Sequence, residues 1–251
     1  MQVASGTYNM TSGKYYSMLI CYGQGGFGYG LDVSYSLPGN STRIYYCIGI
    51  GALTSYRLYL SPSFTLPSSY AGTTPTFSST YITFNSGSNQ YIDFGSNYFN
   101  LGTLGFSLKV KILWTGYNNW SRVIDFNSGS GGNQDMFLTL PGTSSTLRFQ
   151  YKENNEQQIN YAGPMNLNQI YTIAAVYNPN TGGTNGQLDL WVNGVNVATR
   201  TDMSIKGTDK TYSYTYIGRS SYSGDAYLGA QIYQLAIYNR ALTRGEILLP
   251  M

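Results

Sequence analysis

Histidine is absent from the 251-residue chain, which removes in one step the commonest general base, the Ser-His and Cys-His nucleophile systems and the commonest transition-metal ligand. Carboxylates remain, and two of them flanking a bond can hydrolyse a glycoside without an imidazole. The nearest acidic pair, Glu153 and Glu156 in KENNEQQ, reads as part of a polar turn in which nothing fixes the separation that catalysis needs. The segment GQGGFG at 23–28 fits G-x-G-x-x-G by its letters. A dinucleotide site would need a helix after it and an acid about twenty residues further on, and YGLDVSYS reads as a strand instead. Recognition chemistry is better supplied. Asn133, Gln134 and Asp135 close the polar segment 127–135, and Arg219, Tyr222 and Asp225 belong to 219–225. Amides and carboxylates bind sugar hydroxyls, and Tyr222 or Trp120 offers a flat ring for the apolar face of a pyranose. The same letters also suit ordinary Asx-type turns.

The segments that must position these residues are strands. FSLKVKILW alternates, with Phe106, Leu108, Val110, Ile112 and Trp114 on one face and Ser107, Lys109 and Lys111 on the other, which predicts a strand buried on one side. TLRFQYK repeats the pattern with Leu147, Phe149 and Tyr151 facing inward. In LDLWVNGVNVAT, Asn193-Gly194 predicts a two-residue type I′ hairpin turn. That turn sets Val192 against Val195, Leu190 against Val197, and Trp191 beside Asn196. One short helical turn is expected in ALTRGEILL, where Thr243 and Glu246 form a capping box that Gly245 weakens. Three prolines among Ser, Thr and Gly in SPSFTLPSSYAGTTPTFSST mark a connector over 61–77. A smaller β unit is expected over 1–60 and a sandwich over 78–251. Many short strands with Gly-rich turns and almost no helical periodicity define an all-β protein.

Only 10% of the residues are charged and 26 are Tyr, so Ser, Thr, Asn, Gln, Gly and Tyr must cover the surface. A net charge of +3 without a basic stripe argues against nucleic acid. No stretch approaches the roughly 18 apolar residues that span a bilayer, and residues 1–20 lack the charged start and apolar middle of a signal peptide. Cys21 and Cys47 either pair, if their strands are neighbours, or stay as free thiols. Sequons at Asn9, Asn40 and Asn119 are expected by chance in so Asn- and Ser-rich a chain.

From residue 78 to 250 the chain resembles a laminin G-like domain of the concanavalin A-like lectin and glucanase superfamily. The resemblance rests on NQYIDFGS (89–96), WSRVIDFNSG (120–129), IAAVYN followed by LDLWVNGVNVAT, YIGRS (216–220) and AIYNRALTRGEI (236–247). It implies a jelly-roll β-sandwich that binds glycans or glycoprotein surfaces, and the missing His and missing strand-borne carboxylate pair lead to the expectation that it does so without catalysis. Where the family has an acidic pair in a G-x-I-D-E pattern, this chain has Gln231-Ile232-Tyr233-Gln234. The strand-borne E-x-D-x-x-E of the superfamily's glucanases is also missing. Similarity to pentraxins, which hold calcium in two loops, implies a Ca²⁺ site at Asp135 and Asp225 with Asn133, Gln134 and Tyr222 beside it; Trp120 and Arg219 are the further candidates for contact with the ligand. The first sixty residues resemble part of a protective-antigen-type or flocculin-type β domain. The tyrosine-rich, histidine-free composition is similar to that of surface proteins of large DNA viruses, which implies a virion-surface or extracellular setting with neighbouring subunits as partners. The expected function is glycan binding or surface adhesion; the rivals are a purely structural assembly protein and a glycoside hydrolase.

Overall fold

The structure is a computed structural model that describes residues 30–36, 43–49, 57–60, 73–96, 100–101, 105–129, 134–153, 155–179, 186–203, 210–249 and 251. Two compact units divide the chain, Met1–Leu53 and Thr54–Met251. In the first, β1 (Gly30–Ser36) and β2 (Arg43–Gly49) pair antiparallel from Gly30 opposite Gly49 to Ser36 opposite Arg43. GQGGFG, Cys21, the Cys47 side chain and the sequons at Asn9 and Asn40 lie outside the described residues.

The second unit is a sandwich of two antiparallel sheets. Its strands in chain order are β3 (Arg57–Leu60), β4 (Thr76–Phe77), β5 (Ile82–Phe84), β6 (Ile92–Asp93), β7 (Asn100–Leu101), β8 (Phe106–Trp114), β9 (Arg122–Asn127), β10 (Gln134–Thr139) and β11 (Leu147–Glu153). They continue with β12 (Asn155–Tyr161), β13 (Ile170–Asn178), β14 (Gly186–Val192), β15 (Val195–Met203), β16 (Lys210–Thr211), β17 (Tyr214–Ile217) and β18 (Ala230–Tyr238), before helix α1 (Arg244–Leu248). One sheet runs β15-β14-β13-β8-β18-β5-β4, with β3 also paired to β18; the other runs β12-β11-β10-β9-β17-β6; β7 and β16 form a separate small ribbon. Strand alternation delivers one apolar face from each sheet to a shared core. Phe106 of β8 lies 5.1 Å from Tyr151 and 5.6 Å from Phe149, both of β11, so aromatic rings from the two sheets interlock. Rings at these separations add to the large apolar area that each side chain buries.

Several expectations are corrected. Ser107 and Lys109, assigned to the open face of β8, are buried. Ser107 Oγ donates to the Arg240 carbonyl at 2.9 Å and accepts the Leu242 amide at 2.8 Å, while Lys109 Nζ donates to the carbonyls of Glu246 and Leu249. The chain after β18 thus folds over that face, where Ala174, Val176, Leu242 and Ile247 make a second small apolar cluster. Asn193 and Gly194 adopt φ of 50° and 79°, as a type I′ turn requires, and Val192 opposes Val195. Leu190 pairs with Ala198 rather than Val197, because a register shift follows between Leu190 and Trp191. Leu60, Tyr59, Leu58 and Arg57 pair with Leu235–Tyr238, so the sandwich draws on residues ahead of the connector, and β4 adds the connector's last two residues to the same sheet. The capping box of α1 is present, with Thr243 and Glu246 satisfying each other's backbone amides.

Candidate functional site

The outer face of the six-stranded sheet carries a continuous polar patch, laid down by register. Thr139 of β10 opposes Arg122 and Arg148; Phe137 opposes Asp125 and Gln150; Asp135 opposes Asn127 and Lys152. On the far side of β11, Lys152 opposes Glu156 and Arg148 opposes Asn160. Met136, Leu138, Phe149 and Tyr151 occupy the intervening positions and point into the core. A register shift at Leu138/Thr139 brings Arg122 to the outer face while its neighbour Val123 remains buried. Glu153 and Glu156, expected in a polar turn, are instead strand residues at the end of β11 and in β12.

Arg122 organises the patch. Only 4% exposed, its guanidinium lies 3.7 Å from the centroid of Phe137 and 5.3 Å from that of Trp120. Its Nη2 donates to Asp225 Oδ2 at 3.2 Å, and its Nε stands 3.8 Å from Asp125 Oδ2. Among the described residues, the Nε and Nη1 atoms have no hydrogen-bond partner, and both are buried from solvent. Burial lowers the Arg122 pKa, and Asp125, Asp225 and Asp135 oppose that shift. Burial also drives Asp125 up to about 6, against an amide hydrogen bond from Ser221 and the nearby guanidinium. Asp135 is raised by burial too, although Gln150 Nε2 donates to both of its oxygens.

The segment after β17 closes one side. Gly218, at φ 85°, turns the chain; Ser221 N–H then donates to Asp125 Oδ2 at 2.9 Å, and Ser220 Oγ donates to Asp225 Oδ2 at 2.6 Å. Trp120, at φ 50°, stands on the other side, with Arg148 5.2 Å from its ring centroid. Between them lies a depression of about 310 Å³ whose floor is Arg122, Asp135, Phe137 and Gln150 and whose rim is Trp120, Arg148, Glu156, Tyr222 and Asp225. Four of the residues proposed from the sequence meet here: Trp120, Asp135, Tyr222 and Asp225. Arg219 does not join them; its guanidinium packs over Tyr91 at 4.7 Å and Tyr216 at 5.0 Å. Asn133 lies outside the described residues, as does the Gln134 side chain, whose backbone begins β10.

The pentraxin likeness implied calcium ligands at Asp135 and Asp225. A calcium ion needs six to eight oxygen ligands. Here the two carboxylates face hydrogen-bond donors, namely Gln150, the Ser220 hydroxyl and the guanidinium of Arg122, which already supplies positive charge. Among the described residues, no three Asp, Glu, Cys or His side chains come together to hold a metal ion.

Comparison with known proteins agrees with the architecture. A family model described as the concanavalin A-like lectin/glucanases superfamily matches residues 86–248. The chain belongs to this superfamily. No curated protein sequence matches the chain. Among solved structures, this lectin/glucanase-like sandwich is similar to domain 4 of AbnA, a GH43 extracellular arabinanase from Geobacillus stearothermophilus, in complex with arabinotriose. Identity is 12% and the TM-score 0.55, with 77% of this chain and 86% of that chain covered. It is also similar to Trypanosoma rangeli sialidase in complex with sialic acid, at 15% identity and a TM-score of 0.55, covering 79% of this chain and 33% of that one. The CBM40 of Ruminococcus gnavus IT-sialidase, bound to alpha2,3 sialyllactose, matches at 12% identity and a TM-score of 0.49, covering 63% and 94%. At these identities the likenesses concern the fold. Neither the protective-antigen or flocculin resemblance of residues 1–60 nor a viral origin draws support from the matches.

The site residues missed in the sequence are Arg122, Phe137, Arg148, Gln150 and Glu156. Two had a signal: once Leu147, Phe149 and Tyr151 are turned inward, Arg148 and Gln150 must face outward beside one another.

Proposed function

We propose that the sandwich is a non-catalytic carbohydrate-binding module and that the depression on its six-stranded sheet takes the glycan. The observation that carries this reading is the convergence of an aromatic ring, Trp120, with Arg148, Gln150, Glu156 and Tyr222 around one opening. Sugar sites combine a flat apolar surface for the pyranose face with amides, carboxylates and guanidinium groups for its hydroxyls. A similarly folded arabinanase domain is seen with arabinotriose, which favours a sugar ligand over a purely structural sandwich. Binding is favoured over hydrolysis because two of the lining carboxylates already hold donors: Asp135 accepts from Gln150, and Asp225 accepts from Arg122 and Ser220. A tyrosine-rich chain with few charges suits adhesion to a glycan-coated surface.

The test is a glycan array followed by calorimetric titration with the best ligand. Trp120→Ala should weaken binding at least tenfold, with Trp120→Phe recovering part of the loss and both variants melting within a few degrees of the wild type. Wild-type affinity in Trp120→Ala would place the site elsewhere, and a blank array would reject carbohydrate binding.

A further inference from the structure

Charge around the depression limits what kind of glycan it can hold. Each cation there already has an anionic or polar neighbour. Arg122 is bonded to Asp225 and lies beside Asp125, and its Nε and Nη1 are sealed from solvent, where a ligand in the depression cannot reach them. Arg148 donates through Nε to Asn160 Oδ1 at 2.9 Å and feels the charge of Glu156. Lys152 stands in register between Asp135 and Glu156. Arg219, the remaining cation in the loop beside the opening, is held over Tyr91 and Tyr216. Against Arg122, Arg148 and Lys152 stand Asp125, Asp135, Asp225 and Glu156, so the patch carries an excess of carboxylate rather than of guanidinium or ammonium.

We propose that this depression takes a neutral glycan and discriminates against glycans that carry a carboxylate. The inference rests on the depression being the glycan site and adds the class of ligand. Hydroxyl groups of a neutral sugar can donate to Glu156 and to Asp225, whose Oδ2 alone is engaged by Arg122 and Ser220, and such charge-assisted bonds are stronger than neutral ones. A carboxylate in the same place accepts only, so it meets like charge on the rim, and Arg148, the rim cation whose Nη groups make no hydrogen bond among the described residues, already has the charge of Glu156 beside it. Specificity arises here through repulsion as much as through attraction.

The experiment compares the best neutral oligosaccharide from the array with the same compound oxidised to a uronate at a primary hydroxyl, together with sialylated and unsialylated lactose. The uronate and the sialylated compound should each bind at least tenfold more weakly than their neutral counterparts. The gap should narrow with added salt, because exposed charges are screened. It should also narrow in Glu156→Gln, an exposed position whose substitution leaves the fold intact, and further in Asp225→Asn, which releases Arg122. Equal or tighter binding of the carboxylated compounds would overturn the proposal while leaving the glycan site in place. A gap that ignores both salt and Glu156→Gln would overturn its electrostatic cause. Absence of binding to any glycan, neutral or acidic, would overturn this inference and the reading beneath it together.

Discussion

Asp125 sits at the centre of the site's electrostatics with its side chain wholly buried. Folding raises its carboxyl from an ordinary 3.8 to about 6, chiefly through burial. The folded chain therefore binds the additional proton between those values, and the cost of keeping the buried group ionised grows as pH rises from about 4 and levels off above about 6. A shift of this size corresponds to about 3 kcal/mol of destabilisation at neutral pH. Asp135 is shifted in the same direction, whereas Glu246, held down to about 2 by Arg240 and Thr243, stays ionised throughout this window. The melting temperature should accordingly rise by several degrees between pH 7 and pH 5, and the rise should be smaller in Asp125→Asn; parallel wild-type and variant profiles would remove Asp125 as the cause. At this scale the sequence was partly legible. Asp135, Tyr222 and Asp225 stood out in the polar segments 127–135 and 219–225, and Trp120 as a flat ring suited to a sugar. Arg122 did not, because only the register shift opposite Leu138/Thr139 separates its outward direction from the buried Val123 beside it.

Elements are held by backbone conformations that few residues adopt. Gly105, at φ 81°, enters β8 where an added Cβ would lie 2.2 Å from the Tyr177 carbonyl oxygen. Gly142, at φ 61°, turns the chain between β10 and β11, and an added Cβ there meets nothing within 4 Å. Gly142→Ala should then cost only the conformational penalty, about 1 kcal/mol. Gly105→Ala adds a backbone collision and should cost at least about 3 kcal/mol. Urea unfolding of the two variants measures the difference, and equal losses would show that the close approach at Gly105 relaxes freely. Elements with strict alternation or a specific turn were readable: β8, β11, the Asn193-Gly194 hairpin and the Thr243–Glu246 cap. What alternation could not show is that the chain after β18 covers the second face of β8. Lys109 reads as a solvent-facing residue because its burial depends on carbonyls of Glu246 and Leu249, more than 130 positions away.

At the scale of the whole molecule, β18 is the seam. Its first half pairs with β5, its second half with β3, and its other edge with β8. A fragment starting at residue 73 would strip β3 away and expose the backbone edge of Leu235–Tyr238, an invitation to intermolecular pairing. A fragment covering 54–251 should melt in one cooperative transition, while 73–251 should melt lower and aggregate at concentrations the longer fragment tolerates. Identical melting and solubility would show that β3 contributes nothing to the sandwich. Composition placed the connector at 61–77 because Pro, Ser and Thr cluster there. It could not reveal that the four residues before it reach across to the last strand, since RLYL carries no mark of its partner.

The most direct test of the glycan site is to map it on the wild-type protein. In an amide chemical-shift titration of the 54–251 fragment with the best neutral oligosaccharide from the array, the largest changes should fall on Trp120, Arg122, Gln150, Glu156 and Tyr222. Amides of β14 and β15, on the opposite sheet, should stay unmoved. Saturable changes centred on β14 and β15, with the outer face of the six-stranded sheet silent, would contradict the assignment.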